Sequence, residues 1–216
     1  MDLEANVIHD ISVAVRVGTP EWPGDVPFQC GWSARVADGD SVNLSSVTSS
    51  PHVGTHADAP LHVRDGGDGA HLLPLNAFIG SATVVDVSGR SGELDVDALG
   101  VIPSRIAGGR LLMRTGCSIA GGTFPAEWPT LSEACIRALR NDAGLRLIGV
   151  DAPSVDSRES KTLVIHHLLF ASGAYILENL DLRDVPAGDY ELIAAPLRLE
   201  GGDAAPVRAL LREARR

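Results

Sequence analysis

Three histidines and an aspartate fall on even numbers within eleven residues: His52, His56, Asp58 and His62, in the stretch SPHVGTHADAPLHVRD from Ser50 to Asp65. Side chains of an extended segment alternate faces with period two, so all four are expected to point the same way. Neutral imidazole and carboxylate are the ligands that zinc and similar borderline ions take. The stretch therefore reads as a metal site. With one coordination position open to water, such a site does hydrolytic chemistry, because binding lowers the water pKa toward about 7. His52, His56 and Asp58 supply three ligands, and the second oxygen of Asp58 can bridge to another ion. His62 can serve as general acid and base; its alternatives are a fourth ligand or a hydrogen bond to one.

That reading makes a demand on the backbone. On a straight strand, Cα atoms four residues apart are separated by about 13 Å, near the limit for two imidazoles sharing an ion. The chain must bend between His52 and His56, and Gly54 lies midway, free to take backbone angles closed to other residues. A helix would also bring i and i+4 together, but Gly54 and Pro60 interrupt one. A bent, irregular segment is expected.

A second ion needs ligands from elsewhere. His166 and Glu178 are the distant pair of suitable chemistry in apolar surroundings, and the alternative for them is a buried ion pair. Ser160 to Gly173 (SKTLVIHHLLFASG) reads as a helix, with Ser160 as its cap and Gly173 as its stop, carrying His166 and His167. Adjacent helical residues point about 100° apart, so at most one faces a given site. Ala174 to Leu180 reads as a strand, and Glu178 within it is costly unless paired or metal-bound. Trp22 sits in the proline-rich loop Gly18 to Phe28 and can either stack on a ligand or cover a core edge. His71, off the cluster, reads as structural.

The remaining elements form a scaffold. Strands are expected at Asn6 to Val17, Ser81 to Val87, Arg110 to Thr115, Leu145 to Val150 and Glu191 to Leu199. Gly31 to Val47 reads as a hairpin turning at Asp38-Gly39. Leu94 to Leu99 reads as a short helix. Thr130 to Gly144 reads as a longer one, with a Thr130/Glu133 capping box and Gly144 as C-terminal cap. Pro206 to Leu211 fits a strand or a short helix. Strands outnumber helices, which implies one domain over residues 1–216 of mixed, β-rich α/β class.

Composition narrows the partners. Of 216 residues, 44% are hydrophobic, enough for a core, and the net charge of −10 argues against nucleic acid and anionic membranes. Cys30, Cys117 and Cys135 are odd in number and far apart, which fits a reducing compartment rather than a disulfide framework. MDLEANVIHD lacks the regions of a secretory signal, so a cytoplasmic location is expected. A serine hydrolase would need a G-x-S-x-G elbow, and the sequence has none.

HVGTHADAPLH resembles the HxGTHxDxPxH signature of the metal-dependent cyclase family. EWPGDVPF, TFPAEWP, SKTLVIHHLLFASGAYILENL and GGDAAPVRALL are similar to its bacterial kynurenine formamidase branch. The resemblance implies a layered α/β fold with a β-barrel-like core, a homodimer, and two Zn²⁺ per subunit, with Mn²⁺ an alternative. It implies hydrolysis of a small molecule, N-formyl-L-kynurenine, at a linear amide bond in tryptophan degradation. His52, His56 and Asp58 would hold the first ion; Asp58, His166 and Glu178 the second. His62 would be the proton donor and acceptor, and Trp22 a substrate contact. The spacing of twelve to Glu178 favours His166 over His167. The competing expectations are an isatin-hydrolase-like amide hydrolase and a metal-dependent binding protein without turnover.

Overall fold

The chain is described over residues 7–213 in a computed structural model. In chain order the strands before the first helix are β1 (Ile8–Asp10), β2 (Gln29–Ala34), β3 (Leu44–Thr48) and β4 (His56–Asp58). Helix α1 (Leu75–Phe78) leads to β5 (Ile79–Asp86), β6 (Glu93–Leu94), β7 (Arg110–Arg114) and β8 (Thr130–Leu131). Helix α2 (Glu133–Ala143), β9 (Leu147–Val150), α3 (Val164–Ala171) and β10 (Tyr175–Glu178) follow, then β11 (Gly188–Ile193), β12 (Ala204–Pro206) and β13 (Leu210–Glu213).

One mixed sheet of nine strands, in the order β1-β13-β11-β5-β7-β9-β10-β4-β12, curls into a half-barrel. Its middle strands, β5, β7, β9 and β10, run parallel, and its flanks are antiparallel. Parallel strands covered on both faces read as unbroken apolar runs, which is why Val84 and Val85, and Leu111, Leu112 and Met113, are all buried. One face packs Phe78, Leu177, Leu192 and Leu211. The other packs against α2 and α3 through Ile136, Leu139, Ile165 and Leu169. The buried Arg110 ties the α1–β5 junction together, donating to the carbonyls of Ala77, Ile79 and Ser81 at 2.7, 2.8 and 3.1 Å.

Several boundaries differ from expectation, for identifiable reasons. The first strand spans only Ile8 to Asp10, and Asn6 lies outside the described residues. Beyond it, Val13 N–H donates to the Thr55 hydroxyl at 2.9 Å instead of a neighbouring strand. Thr130 does not cap α2: it pairs with Glu93 in β8, and the Ser132 hydroxyl accepts from Cys135 N–H at 3.1 Å. Gly144 does end α2 in a left-handed conformation. Helix α3 starts at Val164 rather than Ser160. The strand expected at Glu191 starts at Gly188 and stops at Ile193, before Pro196, and proline has no N–H for a ladder. Pro206 to Leu211 divides between two strands, β12 and β13.

Candidate metal centre

Strand β4 carries His56 and Asp58, two residues apart and so on one face of the sheet. It lies between β10 and β12, and Glu178 of β10 stands directly opposite His56. Directly opposed residues of antiparallel strands project to the same side, so Glu178 joins the pair. His52 and His62 are not on that strand. His52 sits in the turn before it, and His62 ends a 3₁₀ turn, Pro60–His62. The single extended face expected for all four therefore holds only for His56 and Asp58. Bends at Gly54 and Pro60 bring the other two rings in, to 4.8 Å (His52–His56) and 4.4 Å (His52–His62) between centroids. Gly54 has φ +75°, and a Cβ there would fall 2.4 Å from Val15 Cγ2.

Asp58 joins two ligand groups. Its Oδ1 is 3.2 Å from His52 Nδ1 and 3.3 Å from His56 Nε2. Its Oδ2 is 3.2 Å from His166 Nε2. Glu178 completes the second group, with Oε1 at 3.4 Å from His166 Nε2, while its Oε2 is 3.5 Å from His56 Nε2. The donor atoms of His52, His56 and Asp58, and those of Asp58, His166 and Glu178, each lie within 4.8 Å of one another. His56, Asp58, His166 and Glu178 are buried.

The donor set fits divalent cations. His56 Nδ1 donates to the Gly54 carbonyl at 2.9 Å, which leaves Nε2 facing Asp58. His56 Nε2 and Asp58 Oδ1 are buried without a hydrogen-bond partner among the described residues, an arrangement that costs free energy unless a cation joins them. Burial opposes charge on His52 and His56, yet neighbouring carboxylates carry their pKa values up to about 10 and about 9. Burial likewise raises Asp58 and Glu178, and the surrounding imidazoles hold both below the usual carboxylate range. This is a pocket that demands positive charge, built from nitrogen and oxygen ligands suited to zinc or manganese.

Two further aspartates, not singled out from the sequence, hold the histidines from behind. Asp156 Oδ2 is 2.7 Å from His166 Nδ1 and accepts His166 N–H at 3.0 Å, while its Oδ1 accepts Ile165 N–H at 3.1 Å. One side chain thus caps α3 and orients the ring that α3 carries. Asp203 Oδ2 meets His52 Nε2 at 3.0 Å and His62 Nδ1 at 3.2 Å. The donors of His52, His62 and Asp203 also lie within 4.8 Å of one another, a third grouping that is only half-buried. His167 is exposed on α3 beside the buried His166, and His71 lies apart in another 3₁₀ turn.

A cavity of about 480 Å³ opens over this cluster. Trp22 and Phe124 line it, along with His62. The Trp22 ring meets Phe124 and Trp128 edge-on at 5.6 and 6.1 Å, so it both covers the core edge and walls the cavity. Residues 9–157 match the family model named Cyclase.

The chain belongs to the cyclase family. A kynurenine formamidase of Salinibacter ruber is 45% identical to it over 210 residues, covering 95% of this chain and 97% of the relative. A Bacillus stearothermophilus structure named as a predicted metal-dependent hydrolase superposes with a TM-score of 0.81 at 30% identity, covering 97% of this chain and all of that one. Isatin hydrolase A of Labrenzia aggregata gives 0.78 at 25% identity, covering 97% and 94%. Among the described residues, no helix is long and apolar enough to cross a membrane.

Proposed function

We propose that this chain hydrolyses N-formyl-L-kynurenine to L-kynurenine and formate at a two-metal centre. The observation that carries the reading is Asp58, whose two oxygens face separate sets of histidines 3.2–3.3 Å away, beneath an aromatic-walled cavity. The 45% identity to a kynurenine formamidase supports the substrate. His52, His56 and Asp58 would hold one zinc ion, and Asp58, His166 and Glu178 the other. When bound, the ions supply Lewis acidity toward the formyl oxygen and acidify water.

The chain's own residues do the rest. Trp22 and Phe124 give the aryl ring an apolar seat, placing the formyl group toward the histidines. With Nδ1 held by Asp203, His62 has Nε2 free for the reaction. That nitrogen takes a proton from the attacking water and returns it to the aniline nitrogen as the C–N bond breaks. In this reading the chain works as a homodimer, its second copy covering the exposed β2–β3 hairpin.

The test is absorbance-monitored deformylation of N-formyl-L-kynurenine, with isatin run alongside. Chelated protein should be inactive and zinc-restored protein active, with isatin turned over far more slowly. Faster turnover of isatin would move the chain to that chemistry, and metal binding without turnover of either would make it a binding protein.

A further inference from the structure

Lys161 is the only lysine in the chain; the other seventeen Lys/Arg positions are arginine. It is also the one lysine or arginine lining the cavity among the described residues, whose wall also carries the carboxylates of Asp25, Glu178 and Asp203. The whole protein carries a net charge of −10. Away from the metal cluster, Lys161 is therefore the one fixed positive charge that the described cavity wall offers an anionic group.

The segment that presents Lys161 is fastened to the catalytic apparatus. The Ser160 hydroxyl donates to Asp156 Oδ1 at 3.4 Å and accepts Leu163 N–H at 3.1 Å. Leu163 takes a left-handed conformation, φ 45°, just before α3 begins. Asp156 is the same carboxylate that holds His166, so the Lys161 backbone and the His166 ring share one anchor. The nearby Arg158 is already engaged: its guanidinium lies 5.5 Å over the Phe124 ring and donates to the Pro125 carbonyl at 3.5 Å.

We infer that the Lys161 ammonium binds the α-carboxylate of the substrate's amino-acid end and so sets specificity for amino-acid-bearing aryl formamides. The inference rests on the formamidase reading and deepens it. With the ring against Trp22 and Phe124 and the formyl group at His62, the amino-acid end is the part left for the Ser160–Lys161 segment. A lysine suits this work: a point charge on a flexible stem at a cavity rim, where exposure keeps it hydrated until the ligand arrives.

The test compares N-formyl-L-kynurenine with N-formylkynuramine, which keeps ring, ketone, ammonium and formamide and lacks only the carboxylate. In the zinc-loaded enzyme, Lys161→Ala should raise KM for N-formyl-L-kynurenine tenfold or more, and leave kcat/KM for the descarboxy compound within twofold. Lys161→Arg should restore part of the loss, and Lys161→Glu should reverse the preference. Calorimetric binding of L-kynurenine should weaken in step with KM, while binding of kynuramine should not. Equal losses on both substrates would make Lys161 a structural residue, and no loss on either would remove it from recognition; both outcomes overturn the inference alone. If the unaltered enzyme turns over neither compound, the formamidase reading fails and takes this inference with it.

Discussion

Asp58 is the point where the two candidate ligand groups meet, and two of the rings around it, His52 and His166, are aimed by the outer carboxylates of Asp203 and Asp156. Such outer partners fix ring orientation and tautomer, and their loss costs metal affinity or activity about 10–100-fold. Asp203 is the most exposed of them, and it reaches both His52 and His62. In the proposed mechanism His62→Ala should lose at least about a hundredfold in kcat, the low end for general acid–base catalysis, with zinc content unchanged. Asp203→Asn should lose about 10–100-fold, less than His62→Ala, because the ring remains but is free to turn. Metal analysis and steady-state rates check both; loss of zinc in His62→Ala would make it a ligand. At this scale the sequence was informative where chemistry is local. His52, His56, Asp58 and His62 announce themselves by type and spacing, and Gly54 by its place between two of them. Asp203 lies 151 residues from His52, and no spacing rule connects them. Asp156 lies only ten residues before His166, but a nearer serine, Ser160, offered itself as the cap and hid it.

At the level of elements, the strands were legible because their apolar runs must be buried, whereas helix starts were not. The starts of α2 and α3 turned on which of several capping residues was used: Ser132 over Thr130, Asp156 over Ser160. That choice depends on packing elsewhere, since Thr130 is taken by pairing with β6. The strand order was also hidden, because β4 is flanked by β10 and β12, which lie more than a hundred residues further along the chain. This placement is what brings Glu178 to His56. The bend at Gly54 is equally indispensable. Gly54→Ala adds a side chain at φ +75° and drives its Cβ to 2.4 Å from Val15 Cγ2. We expect it to lower unfolding free energy by about 2 kcal/mol or more, from left-handed strain plus the clash. The proposed first zinc site should weaken with it, because His52 is held on the far side of the bend. Denaturant unfolding and zinc titration measure the two effects. A variant with native stability and two full-affinity sites would show that the bend is not needed.

For the molecule as a whole, the β2–β3 hairpin stands outside the nine-stranded sheet, as a two-stranded sheet of its own. Almost all of it is exposed, including Trp32, Leu44 and Val47 at 59%, 55% and 60% of their surface. An isolated two-stranded hairpin is marginal in water, and an apolar one invites a cover. The homodimer proposed for this chain would supply it, with a second copy burying these side chains. The hairpin also bears on the site, because its two ends run into the cavity wall. Trp22 precedes it and His52 follows it. Its base is closed by Ser50 N–H donating to the Val26 carbonyl at 2.9 Å and by the Ser50 hydroxyl donating to Asp25 at 3.1 Å. A hairpin released from its cover would loosen Trp22 and His52 together. Trp32→Glu places a charge in the apolar face and should convert the protein to a monomer by sedimentation equilibrium. Its kcat/KM for N-formyl-L-kynurenine should fall several-fold, although Trp32 touches no ligand. A protein already monomeric before substitution would show that the hairpin is stable uncovered. A monomeric variant with full activity would uncouple the interface from the cavity, leaving assembly to serve stability alone.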